Sequence, residues 1–156
     1  MKSAADLAAE QSAFWKGAGG QGWLAAYRRI QRSLVDINKA VLALAAARPG
    51  ERLIDVGCGT GDTTAALAAA VSPAGPLAGH VLGLDISEPL IEAARAQNLA
   101  NAAFVVGDAT VHPFEAGAAD LVFSRFGVMF FGEPVAAFRN LHRALKPTGR
   151  LAFVCW

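Results

Sequence analysis

The chain has 156 residues, 54% hydrophobic and 17% charged, a composition that excludes a disordered polar segment and suits one globular domain with a sizeable core. Fourteen basic and thirteen acidic residues leave a net charge of +1, so no overall field favours a polyanion and nucleic acid is not an implied partner. Two cysteines, Cys58 and Cys155, form neither a disulfide framework nor a metal-ligand spacing, and no apolar run approaches the ~18 residues of a membrane span; the expectation is a cytoplasmic protein with no metal.

The first predicted element is a helix over residues 3–16, with Ser3 as N-cap, which GAGGQG (17–22) then interrupts as a flexible joint. From Trp23 to about Ala47, Leu24, Tyr27, Ile30, Leu34, Ile37 and Val41 recur every three or four positions, predicting one further helix that Pro49-Gly50 stops. Arg28, Arg29 and Arg32 on it read as a solvated face. The N-terminal helical arm is therefore assigned to residues 1–48 and the main domain to 49–156.

After Pro49-Gly50 the pattern changes to short apolar strands alternating with helices. RLIDV leads to a helix from Asp62 and VLGLD to one from about Ser87. AFVV and DLVFS follow, then the helix EPVAAFRNLHRALK, ended by PTG, and finally RLAFVC. Alternation of this kind predicts an α/β fold with a doubly wound parallel sheet, whose strands are continuously apolar because both faces are covered.

The most informative stretch is DVGCGTGD, at the end of the first of these strands. Gly57, Gly59 and Gly61 supply positive φ for a tight strand-to-helix turn and a surface without side chains on which a ligand can lie, next to the free N–H groups of a helix start. The spacing G-C-G-T-G differs from the G-x-G-x-x-G of dinucleotide-binding dehydrogenases. Asp62 is either the cap of the following helix or, with Asp55, a source of negative charge for a ligand carrying an ammonium or sulfonium. Asp85, ending the second strand, is either a turn residue before the Ser87 helix start or an acceptor for two vicinal ribose hydroxyls, with Ile86 as an apolar edge for adenine, and Asp108 with the Ala109 backbone either forms an ordinary Gly-Asp turn or meets the adenine amine and ring; hydrogen bonds to a carboxylate contribute roughly 1.5–3 kcal/mol each.

These motifs, in this order, resemble those of the class I S-adenosylmethionine-dependent methyltransferases, whose acidic-x-Gly-x-Gly-x-Gly motif is met by Asp55, Gly57, Gly59 and Gly61. GLDIS, GDA, DLVFS and LHRALKPTGRLAFV continue the likeness over roughly residues 50–156. The resemblance implies a Rossmann-like sheet of strand order 3-2-1-4-5, S-adenosyl-L-methionine as cofactor, and Asp55, Gly57, Cys58, Gly59, Gly61, Asp85, Ile86, Asp108, Ala109 and Ser124 as its binding residues. It also implies a small-molecule acceptor, as in the quinone-biosynthesis C-methyltransferases.

Phe126, Met129, Phe130 and Phe131 suit either an apolar or aromatic acceptor or the core, and Arg125 either an anionic acceptor or solvent. Trp15 and Trp23 belong to a lid or to ordinary packing. None of His80, His112 and His142 stands out as a general base, and no catalytic residue is assigned; orienting the acceptor in line can by itself lower a displacement barrier by roughly 7–11 kcal/mol. The family's usual C-terminal hairpin has no counterpart before Trp156, so the edge of the fifth strand is expected to be covered by a missing C-terminal part or by another chain. A non-catalytic cofactor-binding module or assembly subunit and a nicotinamide dehydrogenase are the competing readings.

Overall fold

The computed structural model describes residues 4–72 and 79–156, which leaves the Ser3 cap outside the described residues. Three helices come first: α1 (Ala4–Lys16), α2 (Ala18–Ser33) and α3 (Val35–Ala45). The alternating part follows as β1 (Arg52–Val56), α4 (Asp62–Val71), β2 (His80–Asp85), α5 (Glu88–Arg95), β3 (Ala102–Val106), β4 (Ala119–Arg125), a single 3-10 turn at Val128–Phe130, α6 (Pro134–Ala144) and β5 (Leu145–Val154). All strand pairs are parallel and the order is β3-β2-β1-β4-β5, as expected. The chain works outward from β1 to β3 and then crosses to the other side at β4. A crevice is thereby created between β1 and β4 at their carboxyl ends.

Side chains alternate across a strand, so each strand feeds two cores. Leu53, Val81, Leu121 and Phe123 pack with Leu67, Ala68 and Val71 of α4 and with Val41 and Ala45 of α3. Ile54, Val56, Leu84 and Val122 point the opposite way, toward Leu141 and Ala144 of α6. The third helix thus shares the core of the sheet, and only α1 and α2 stand over the crevice. Arg150 fixes α3 in place: its guanidinium donates to the Ala45 and Ala46 carbonyls at the helix end and pairs with Glu51 at 2.7 Å.

The arm differs from expectation in a way that packing explains. Residues 18–22 are helical, so the glycine-rich stretch is the start of α2 rather than a joint. A Cβ on Gly20 would stand 2.2 Å from Ser87 Oγ and 2.6 Å from the Trp15 carbonyl, and one on Gly19 would stand 2.3 Å from the Phe14 ring. These glycines let α2 lie against α1 and the start of α5. The helix expected over 23–47 is broken at Leu34, whose N–H is shared between the Ile30 and Gln31 carbonyls. His80 opens β2, and Pro147-Thr148-Gly149, expected to end a helix, falls inside β5 at a register shift.

Gly20→Ala is expected to destabilise the docked arm by about 1–3 kcal/mol, because backbone on one side cannot yield. Amide hydrogen exchange in α1 and α2 should accelerate in proportion, while that of the β1 amides stays as in the parent; unchanged exchange in the arm would show that the close approach carries no cost.

Candidate functional site

A cavity occupies the crevice, with about 190 Å3 of free space, well beyond the ~30 Å3 share of one water and so sized for an organic ligand. Of the residues singled out in the sequence, Gly57, Cys58, Gly59, Asp85, Ile86, Asp108, Ala109, Trp15, Trp23, Arg125 and Phe126 line it. Asp55, Gly61 and Ser124 do not; they lie behind its wall.

The three glycines of the β1–α4 loop all have positive φ, at +69°, +55° and +87°, but serve different purposes. A Cβ on Gly57 would meet the Gly127 Cα at 2.7 Å, so this glycine lets two backbones touch. One on Gly61 would press on the Phe104 ring and the Gln97 amide at 3.0 Å. On Gly59 it would find nothing nearer than Trp23 Nε1 at 4.0 Å, on the cavity side. Only the middle glycine presents open backbone to a ligand.

Asp55 and Ser124 hold that loop from beneath. Both Thr63 and Thr64 hydroxyls donate to Asp55 Oδ2 at 2.7 Å, tying the end of β1 to the first turn of α4. Burial pushes the Asp55 carboxyl up to about 6, against the lowering effect of the two threonines. Its expected charge toward a ligand therefore acts from behind the loop. Ser124 Oγ donates to the Val56 carbonyl at 2.7 Å and accepts from the Gly127 and Val128 N–H groups, joining β1 to the turn after β4. The cap of α4 is Gly61, not Asp62: Asp62 is the first helical residue, and its carboxylate accepts from Tyr27 Oη, Thr60 Oγ1 and Gln31 Nε2.

Asp85 is placed otherwise. Its Oδ2 accepts from the Gly59 N–H at 2.8 Å and its Oδ1 from the Ser87 N–H at 2.9 Å. One carboxylate thus fixes both the cavity-facing glycine and the start of α5, and each oxygen keeps a further lone pair. Burial raises its pKa, opposed by these backbone donors. Asp108 is exposed and accepts from the Thr110 N–H at 2.8 Å, which shapes the turn after β3.

The opposite wall is aromatic. Trp15 packs edge-on against Trp23 at 6.1 Å and Phe130 at 4.8 Å, and Phe126, Phe130 and Phe131 also line the cavity, whereas Met129 is partly exposed. Phe126 adopts φ +65°, an uncommon conformation for a bulky residue, and stacks on Trp156 at 4.7 Å. Burial raises the Cys58 thiol well above its ordinary value, with Asp55 and Asp85 adding to this, which disfavours its thiolate. His112 packs on Phe114 away from the cavity, and burial lowers its pKa. Gln31 and Thr60 also line the cavity but carry no local sequence signal, since α2 meets the loop only in the fold. Among the described residues, no group of three His, Cys, Asp or Glu side chains could hold a metal ion, and no helix is long and apolar enough to cross a membrane.

Residues 54–153, from β1 through β5, match the family described as the methyltransferase domain. The chain belongs to that family. The demethylmenaquinone methyltransferase of Staphylococcus aureus is 37% identical over 114 residues, which are 72% of this chain and 46% of that protein; the chain spans about half the length of the curated relatives it matches. Solved structures that share this fold include a methyltransferase and a protein named as a cyclase. A phosphoethanolamine N-methyltransferase of Haemonchus contortus, crystallised with S-adenosylhomocysteine, is 28% identical with a TM-score of 0.66, covering 76% of this chain and 27% of that one. The [4+2]-cyclase SpnF is 28% identical with a TM-score of 0.65, covering 76% and 43%.

Proposed function

We propose that this methyltransferase domain binds S-adenosylmethionine in the crevice and transfers its methyl group to a small apolar or aromatic acceptor. The observation that carries the reading is the pairing of Asp85 with Gly59: a carboxylate able to take two ribose hydroxyls, bonded to the one loop glycine that offers open backbone. The chemistry of the donor set fits the cofactor. Asp108 is free to accept from an adenine amine, Ile86 offers an apolar edge, and the rings of Trp15, Trp23 and Phe126 suit a cationic sulfonium.

When bound, the cofactor supplies an electrophilic methyl group on a sulfonium that leaves as a neutral thioether. The chain's part is orientation and exclusion of water: α1 and α2 roof the cavity through Trp15 and Trp23, and the phenylalanines after β4 provide an apolar bed for the acceptor. The quinone-type substrate named for the staphylococcal relative agrees with that bed. Coverage of the β5 edge by further chain or by a partner belongs to the same reading.

Isothermal calorimetry with S-adenosylhomocysteine and NADH tests it. Binding of the first and not the second is expected; the reverse selectivity would replace the reading with a dehydrogenase. A second reading, a cofactor-binding domain that does not methylate, is favoured by the likeness to a protein named as a cyclase. Binding without methyl transfer to any of a panel of hydroquinone and phenol acceptors would select it.

A further inference from the structure

Arg125 ends β4 inside the cavity, and a guanidinium there has five N–H donors in a planar fork. Among the described residues it makes one side-chain hydrogen bond, from Nη1 to Gln31 Oε1 at 3.0 Å, and no ion pair within 4.0 Å. The two carboxylates whose charge reaches it, Asp55 and Asp62, form no ion pair with it. Asp62 already takes Tyr27 on one oxygen and both Gln31 and Thr60 on the other. Asp55 lies behind the loop, where its Oδ2 takes Thr63 and Thr64 and its Oδ1 is buried without a hydrogen-bond partner; it acts on Arg125 through its field, with no contact between them. A partly desolvated cation with unused donors, facing the cavity beside Phe126 and Gln31, calls for an anion in the cavity itself.

Position says which anion. Asp85 ends β2 and Arg125 ends β4, with β1 and its Gly59 between them. Two strand spacings, about 10 Å, therefore separate the two strand ends that carry the carboxylate and the guanidinium. A ligand whose sugar lies at β2 and whose thioether crosses Gly59 brings its amino-acid end to β4. Resting on the cofactor reading given above, we propose that Arg125 is the receptor for the α-carboxylate of the cofactor's methionine moiety, held in a two-pronged contact beside Gln31. Because Gln31 belongs to α2, the same contact ties ligand occupancy to the helix that roofs the cavity.

The test compares S-adenosylhomocysteine with its decarboxylated analogue, which keeps the adenosine, the thioether and the amine, by calorimetry. The parent protein is expected to bind the complete ligand about 10- to 100-fold more tightly, the range for a charge-assisted hydrogen-bonded contact. Arg125→Met should lose that advantage while binding the analogue as the parent does, and Arg125→Lys, with charge but no fork, should fall between. Equal binding of both ligands by the parent overturns the assignment and leaves the cofactor reading standing. Equal weakening of both ligands in Arg125→Met also overturns it, since that is the mark of a structural role. Binding of neither ligand by the parent removes the assignment and the cofactor reading together.

Discussion

Replacing Asp85 with alanine is expected to weaken S-adenosylhomocysteine binding by about 3 kcal/mol, roughly 150-fold, and to lower the stability of the ligand-free protein by about 1–3 kcal/mol as well. Two separate losses are involved. The proposed ribose hydroxyls lose a charged acceptor, and the Gly59 and Ser87 N–H groups, at 2.8 and 2.9 Å from the carboxylate, lose theirs. Ser87 is buried, so its N–H has no ready access to water as a replacement. Asp85→Asn keeps one acceptor oxygen and should recover part of both. Calorimetry and thermal unfolding read the two effects independently; unchanged affinity in Asp85→Ala would take the residue out of the binding site and leave it as a brace of the loop.

The second large effect separates folding from binding within one loop. Gly57→Ala should lower stability by about 2–5 kcal/mol, combining the strain of a left-handed alanine with the overlap of two backbones that cannot move apart. At φ +69° and 2.7 Å from the Gly127 Cα, the new methyl has nowhere to turn. For a domain of this size the midpoint of thermal unfolding should drop by about 10 °C. Gly59→Ala bears only the conformational cost, about 1–2 kcal/mol, because its surroundings are open. It should nonetheless abolish most ligand binding, since the methyl projects where the ligand is proposed to lie. If Gly57→Ala unfolded no earlier than Gly59→Ala, the division of labour among the three glycines would be wrong.

The strands were legible because each is a continuous apolar run between turn residues: RLIDV is β1, and DLVFS falls within β4. Their order came from the resemblance and not from the pattern, since strand neighbours depend on which faces the helices cover. The carboxylates also divided along this line. Asp85 was readable from its place at a strand end, but nothing local marks Asp55 as buried behind the loop or Asp62 as a partner of Tyr27 and Gln31 more than 30 residues away. The glycines of 17–22 misled for a physical reason: glycine serves flexibility and close packing alike, and only the neighbouring Ser87 and Phe14 decide between them. The aromatic wall is of the same kind, since Phe126, Phe130 and Phe131 acquire a common purpose only when α1 brings Trp15 onto them.

The two borders of the sheet are finished differently. Along β3 the Asn101 carbonyl accepts from Val81 and the Gly107 N–H donates to Asp85, so odd-numbered peptide groups face β2 and the Phe104 carbonyl points outward, where Arg95 takes it with Nε and Nη2 at 3.2 and 3.0 Å. Along β5 the Val154 carbonyl accepts from Phe126, which turns the peptide groups of Leu151 and Phe153 outward beside side chains that are themselves exposed. A charged side chain thus seals one border and apolar ones mark the other. The border with unpaired peptide groups and exposed apolar side chains is thus the one next to the Phe126–Trp156 stack, adjoining the cavity instead of the remote flank.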